Sequence, residues 1–120
     1  FYPPNTPSAR RCYNLGQAVS KAIKSWDSNK KVAIVGSGGL SHFLVDEEID
    51  QQALKGMKDK DINQLAALPK YRLNSGSSEI LNWITAAGAC EHLDMDVVEY
   101  VPVYRSPAGT GGGWGFAIWK

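Results

Sequence analysis

Histidine and cysteine are both scarce in this 120-residue chain, with two of each. Cys12 and Cys90 are too few for a disulfide framework or a thiolate metal site, so a cytoplasmic, reducing location is the default expectation. Charge of one sign is not in excess either. The 13 Lys+Arg nearly balance the 12 Asp+Glu, for a formal net charge of +1, which excludes a general basic field for nucleic acid or an anionic membrane surface. No apolar run approaches the roughly 20 residues that a bilayer span needs, and no secretory signal is visible. Methionine is missing from the first position: the chain starts Phe1-Tyr2-Pro3-Pro4-Asn5-Thr6-Pro7. That proline-rich stretch reads as an extended loop inside a longer protein, so a fragment is expected. What is present is an ordinary composition, 43% hydrophobic and 21% charged, enough for one soluble domain with a regular core.

Along the chain, Leu15, Ala18, Val19, Ala22, Ile23 and Trp26 recur at spacings of three and four, which predicts a helix over residues 14–26 with these residues on its buried face. Asp27-Ser28-Asn29 ends it. Residues 31–35, Lys-Val-Ala-Ile-Val, form a β-branched run without strict alternation and predict a strand covered on both faces. Gly36-Ser37-Gly38-Gly39 stops that run. The acidic Asp46-Glu47-Glu48 suits the start of a helix whose buried stripe is Ile49, Ala53, Leu54 and Met57. A shorter helix is expected over residues 60–68. Ser75-Gly76-Ser77-Ser78 offers an N-cap for a helix over residues 79–90, with Ile80, Trp83, Ile84 and Ala87 on one face. Strands are expected over residues 97–101 and 116–119, joined by a glycine-rich loop over residues 104–115. Alternating strands and helices indicate an α/β fold, with a central mixed sheet flanked by helices.

Three places could carry chemistry. The first is Gly36-Ser37-Gly38-Gly39-Leu40-Ser41-His42, directly after the expected strand. In open α/β sheets ligands bind beyond the carboxyl ends of strands, and glycines let the backbone approach them. His42 would stand at the cleft mouth, where an imidazole can take and return a proton near neutral pH. The plainer reading is a glycine turn followed by a histidine that packs or caps a helix. The second is Glu79. It is either a solvated first-turn carboxylate or an inward-pointing one that needs a cation, such as a divalent metal, or several donors. The third is Arg105-Ser106-Pro107-Ala108-Gly109-Thr110-Gly111-Gly112-Gly113, equally readable as a surface connection or as a receptor for an anionic group such as a carboxylate. His92 most simply ends its helix, and the cysteines are buried small hydrophobes. The tryptophans are expected in the core, with Trp114 and Trp119 alternatively forming a pocket wall or subunit contact.

Taken in order, Phe1-Tyr2-Pro3-Pro4-Asn5, Arg10-Arg11-Cys12-Tyr13, Ser37-Gly38-Gly39-Leu40-Ser41-His42, Ser78-Glu79-Ile80 with Trp83, and Tyr104-Arg105-Ser106-Pro107-Ala108-Gly109-Thr110-Gly111 resemble the class III extradiol ring-cleavage dioxygenases. The likeness is to the catalytic subunits that act on protocatechuate and gallate-like compounds. It spans residues 1–120 but only the C-terminal half of the family's single α/β domain. The resemblance implies a non-haem Fe(II) centre held by two histidines and one glutamate, with Glu79 matching the glutamate and His42 the acid-base histidine. Thr110 matches a position in the substrate's carboxylate pocket, and Ser41 and Gly39 fall in the substrate-binding element. The implied partners are a catecholic aromatic acid and O2, within a homo- or hetero-oligomer. Such a triad leaves room on iron for both catechol oxygens and O2. Neither His42 nor His92 matches a ligand position, so the two histidine ligands are expected from an N-terminal half that this chain lacks. The chain is then a piece of a longer polypeptide, one of two chains, or a relative that has lost the chemistry. The alternatives in function are a non-catalytic aromatic-acid-binding or interaction protein, and another metal-dependent enzyme on the same scaffold.

Overall fold

Ser8 opens the first helix by accepting a hydrogen bond from the Arg11 backbone N–H, and α1 runs Ala9–Ser25 in a computed structural model that describes residues 4–120. The first three residues of the expected N-terminal loop lie outside the described residues. After α1 come β1 (His42–Leu44), α2 (Glu47–Lys58), α3 (Ile62–Ala66), two 3-10 turns (Lys70–Arg72 and Ser75–Glu79), α4 (Ile80–Ala89), β2 (Met95–Tyr104) and β3 (Thr110–Trp119). The α/β class holds. Among the described residues the sheet is three-stranded and antiparallel, with β3 between β1 and β2.

The core gathers around α4. Eight of its ten residues are buried, as expected for a helix that is apolar nearly all round. Ile80, Trp83, Ile84 and Ala87 lie inside as the spacing predicts. α2 buries the expected Ile49, Ala53, Leu54 and Met57 against it, with Asp46 as N-cap accepting from the Ile49 N–H. Both cysteines are free and buried. Among the described residues no helix is long and apolar enough to cross a membrane.

Four expectations need correction. α1 begins five residues before the predicted start, and it buries Ala9, Cys12, Tyr13 and Gly16 rather than the predicted stripe, leaving Leu15, Val19 and Trp26 exposed. The reason is a close crossing with α4. A Cβ on Gly16 would collide with the Thr85 carbonyl, and one on Gly88 with the Tyr13 carbonyl, so the helices touch backbone to backbone through the first half of α1. Residues 31–35 form no strand, and Val35 is 81% exposed. A strand needs hydrogen-bonding neighbours for its N–H and C=O groups, and among the described residues none pairs with this run.

The predicted glycine loop is mostly strand: β3 already starts at Thr110 and carries Gly111, Gly112, Gly113 and Gly115. These glycines mark close approach across a central strand and not a flexible connection. A Cβ on Gly111 would collide with the Val103 carbonyl of β2. Of the tryptophans, Trp83 is buried and Trp119 packs partly buried against the core, but Trp26 is 54% exposed rather than internal, and Trp114 at 52% keeps only its alternative as a surface position. These last two lie on surfaces that nothing in the described fold covers.

Candidate functional site

The segment 37–42 crosses the N-terminal end of α4 and then enters β1. It is stitched down residue by residue. Asn82 Nδ2 donates to the Ser37 carbonyl at 3.2 Å, and the buried Trp83 Nε1 donates to the Gly38 carbonyl at 2.9 Å. The His42 backbone N–H donates to Ser77 Oγ at 3.0 Å. Ser77 belongs to the 3-10 turn that ends in Glu79, so one turn holds the main chain at His42 and also carries the carboxylate.

Those constraints bring His42, Glu79 and Gly39 together. His42 Nε2 lies 2.8 Å from Glu79 Oε2, and the Gly39 N–H donates to that same oxygen at 2.6 Å. A Cβ on Gly39 would stand 2.7 Å from His42 Nε2, closer than real Cβ contacts allow, so the imidazole occupies space that only glycine leaves free. The His42 and Glu79 side chains keep 31% and 40% exposure, which leaves the pair open to a solute. Glu79 Oε1 accepts no hydrogen bond from the described residues. One oxygen of Glu79 is thus engaged within this chain, and the other is left without a partner among the described residues.

Thr110 lies farther along the sheet. It pairs with Leu44 while His42 pairs with Gly112, a displacement of about 7 Å along the strands. Its hydroxyl is 2.6 Å from Ser106 Oγ, and Arg105 beside them is exposed. Ser41 is completely buried. Its hydroxyl donates to Asp50 Oδ2 at 2.7 Å and accepts from the Asp46 N–H at 3.0 Å, so what Ser41 presents to neighbours of His42 is backbone.

Asp50 is a residue that the acidic run concealed. It is fully buried, and its carboxylate accepts from the Ser41 N–H (2.8 Å), the Ser41 hydroxyl (2.7 Å) and Tyr100 OH (2.8 Å). Burial pushes its carboxyl above the usual range, against the pull of these donors. One signal could have found it: Asp50 shares the i, i+3, i+4, i+7 spacing with Ala53, Leu54 and Met57, which places it on the buried face of α2. Nearby, the Arg72 guanidinium bonded to Asp46 holds that carboxyl below its ordinary value, with the Ile49 N–H adding to the effect.

A non-haem iron centre of the implied kind needs three protein ligands. Among the described residues no three His, Cys, Asp or Glu side chains come together to hold a metal ion. Glu79, with its unbonded Oε1, suits one position of such a set, and the residues here do not complete it. His92 is exposed in the turn after α4. It borders an apolar groove of about 490 Å³ with Val32, Val35, Ile118 and Trp119, a cavity that includes neither His42 nor Glu79.

Residues 2–113 match the family described as the catalytic LigB subunit of aromatic ring-opening dioxygenase. Among curated proteins the chain is similar to gallate dioxygenase from Pseudomonas putida, at 35% identity over 116 residues. That alignment covers 88% of this chain and 33% of the relative, so the chain spans about a third of the length of the protein it matches.

Proposed function

Because the chain belongs to the family of catalytic LigB subunits of aromatic ring-opening dioxygenases, we propose that it supplies the proton-transfer side of a site that opens a carboxylated catechol with O2 by extradiol (meta) cleavage. The observation that carries this reading is the contact of His42 Nε2 with Glu79 Oε2 at 2.8 Å, closed by the Gly39 N–H at 2.6 Å. A partly open imidazole held against a carboxylate is suited to take a proton from a substrate hydroxyl and to return it later. Gly39 removes bulk at the imidazole and lets a flat ring approach the backbone. Ser41 contributes the main chain that leads into His42. Thr110, with Ser106 and the exposed Arg105, offers hydroxyls and a cation to the ring's carboxylate.

Fe(II) would supply Lewis-acid and oxygen chemistry when held by Glu79 together with two histidines from outside these 120 residues. On this reading the chain is the C-terminal segment of a larger catalytic domain, as the family resemblance implies; the 33% coverage of the relative supports its being a part of a longer protein. Gallate and protocatechuate are the substrates to try first, since the similar protein is named for gallate.

The test is O2 uptake by the native protein with either catechol after anaerobic Fe(II) loading. His42→Ala should retain iron and lose turnover by about 100-fold or more, whereas Glu79→Ala should lose iron. Full turnover in His42→Ala would remove the proposed role of that residue. The second reading, an aromatic-acid-binding protein without catalysis, is favoured by the lack of a three-ligand cluster among the described residues. It predicts catechol binding with no O2 uptake in the native protein.

A further inference from the structure

Asp50 is a carboxylate with 0% exposure, and among the described residues no Lys, Arg or His donates to it; the donors there are the Ser41 N–H, the Ser41 hydroxyl and Tyr100 OH. A charge buried without a cation costs stability, so a site that keeps one invites a reason in geometry. The geometry lies in what the carboxylate grips. Both of its bonds to Ser41 fall on the residue immediately before His42. Ser41 Oγ also takes the Asp46 N–H from the start of α2, and Tyr100 reaches in from β2. Ser41 is thereby tied to α2 and β2 at once.

The grip continues on the other side of the strand. The Gly113 N–H donates to the Ser41 carbonyl at 2.8 Å, and the Leu40 N–H donates to the Gly113 carbonyl at 2.9 Å. A Cβ on Gly113 would collide with Asp50 Oδ2 and stand 3.0 Å from Ser41 Oγ. The carboxylate therefore occupies the space of the side chain that β3 lacks. His42 is held from Asp50 through Ser41 on one side and from Ser77 on the other.

We propose that Asp50 is a positioning residue, setting the place of the His42 ring against Glu79 by clamping the main chain of Ser41. It touches neither His42 nor Glu79 and acts through Ser41 alone. The inference rests on the reading of His42 as the proton-transfer group, yet its geometric part is separable from that reading.

The experiment compares Asp50→Ala and Asp50→Asn with the native chain by NMR, following the His42 imidazole resonances and amide hydrogen exchange at Ser41 and Gly113. Asp50→Ala should shift the His42 signals and speed exchange at Ser41 about tenfold or more. Asp50→Asn keeps an acceptor for the Ser41 N–H and should recover most of both. A folded Asp50→Ala with unchanged His42 signals overturns the proposal. If Asp50→Ala does not fold, Tyr100→Phe decides. It removes one donor at the edge of the network, and a shift at His42 supports the clamp while none overturns it. In turnover, Asp50→Ala should lower kcat about 10- to 100-fold with KM nearly unchanged, as expected when a reacting group is misplaced and not lost. A clamp seen by NMR, together with no turnover in an Fe(II)-loaded protein that also supplies the two further histidines, overturns the proposed function and leaves the positioning role standing.

Discussion

Two irregular stretches of this chain, one on either side of Gly36, are built in opposite ways. Residues 37–42 are fastened at nearly every residue, by Asn82, Trp83, Glu79, Asp50 and Ser77. Residues 31–35 are mostly apolar, with Val32, Ile34 and Val35 β-branched, yet among the described residues they pair with no strand, and they flank an apolar groove of about 490 Å³. The first stretch is held by directional bonds along its length, with the buried Ser41 at its centre, where an unmet polar group would be costly. The second carries the composition of a buried strand but lies on the surface, where little holds it. Apolar composition alone does not order a segment; directional bonds to an already packed helix do.

The largest effect should come from filling the space beneath the fastened stretch. Gly113→Ala drives a Cβ into the Asp50 carboxylate, and an unfolding midpoint in urea should show a loss of about 3 kcal/mol or more. A loss under about 1 kcal/mol would mean that the clamp yields easily.

Next comes the ion pair at the start of α2. Arg72 donates to Asp46 and Glu48, and Arg72→Met should cost about 1.5–3 kcal/mol at neutral pH. The sign follows from Asp46, whose folded carboxyl titrates below its unfolded value of 3.8. The folded state then binds fewer protons than the unfolded one across that window, so the stabilisation is full above the unfolded value and disappears as pH falls through the folded one. Thermal melts of the native chain should drop over that acid range, and Arg72→Met should flatten the drop. Asp50 works in the opposite direction. Its raised carboxyl makes stability decline as pH climbs from the unfolded value towards the folded one, and Asp50→Asn should remove that decline.

A smaller gain is expected beside His42. Phe43 adopts φ 67°, a left-handed conformation unfavourable for a residue with a Cβ. Phe43→Gly should raise stability by up to about 1 kcal/mol, read as a higher Tm. The smallest change belongs to the unfastened stretch. Val35→Lys, at a side chain 81% exposed, should stay within about 0.5 kcal/mol of the native chain. A loss well beyond that would show that residues 31–35 are covered in solution, and the contrast between the two stretches would narrow.

Much of the fold was legible because it follows short-range rules. The buried stripes of α2 and α4 are read directly from residue spacing, and the acidic run from Asp46 marks the start of α2, where Asp46 is the N-cap. The α/β class follows from the order of these elements. α1 misleads because the face it buries is Ala9, Cys12, Tyr13 and Gly16, chosen by the close crossing that Gly16 and Gly88 permit, which leaves Leu15 and Val19 on other faces of the helix. The glycines of β3 mislead for a related reason. They suggest a loop by composition, whereas their purpose depends on neighbours from β2 and α2 that no local window contains.

At the site, the motif from Ser37 to His42 and the isolated Glu79 could be singled out from residue types and from the family resemblance. Their meeting could not, because they are separated by 37 residues of chain and joined only through the turn at Ser77 and the glycine at position 39. Asp50 was hidden among acidic neighbours until packing placed it inside. Residue order and spacing decide helices, caps and which faces are apolar, since those depend on interactions a few residues apart. The tertiary structure decided which glycines are spaces, which carboxylate is buried and which oxygen meets the imidazole, because each depends on atoms brought together from distant parts of the chain.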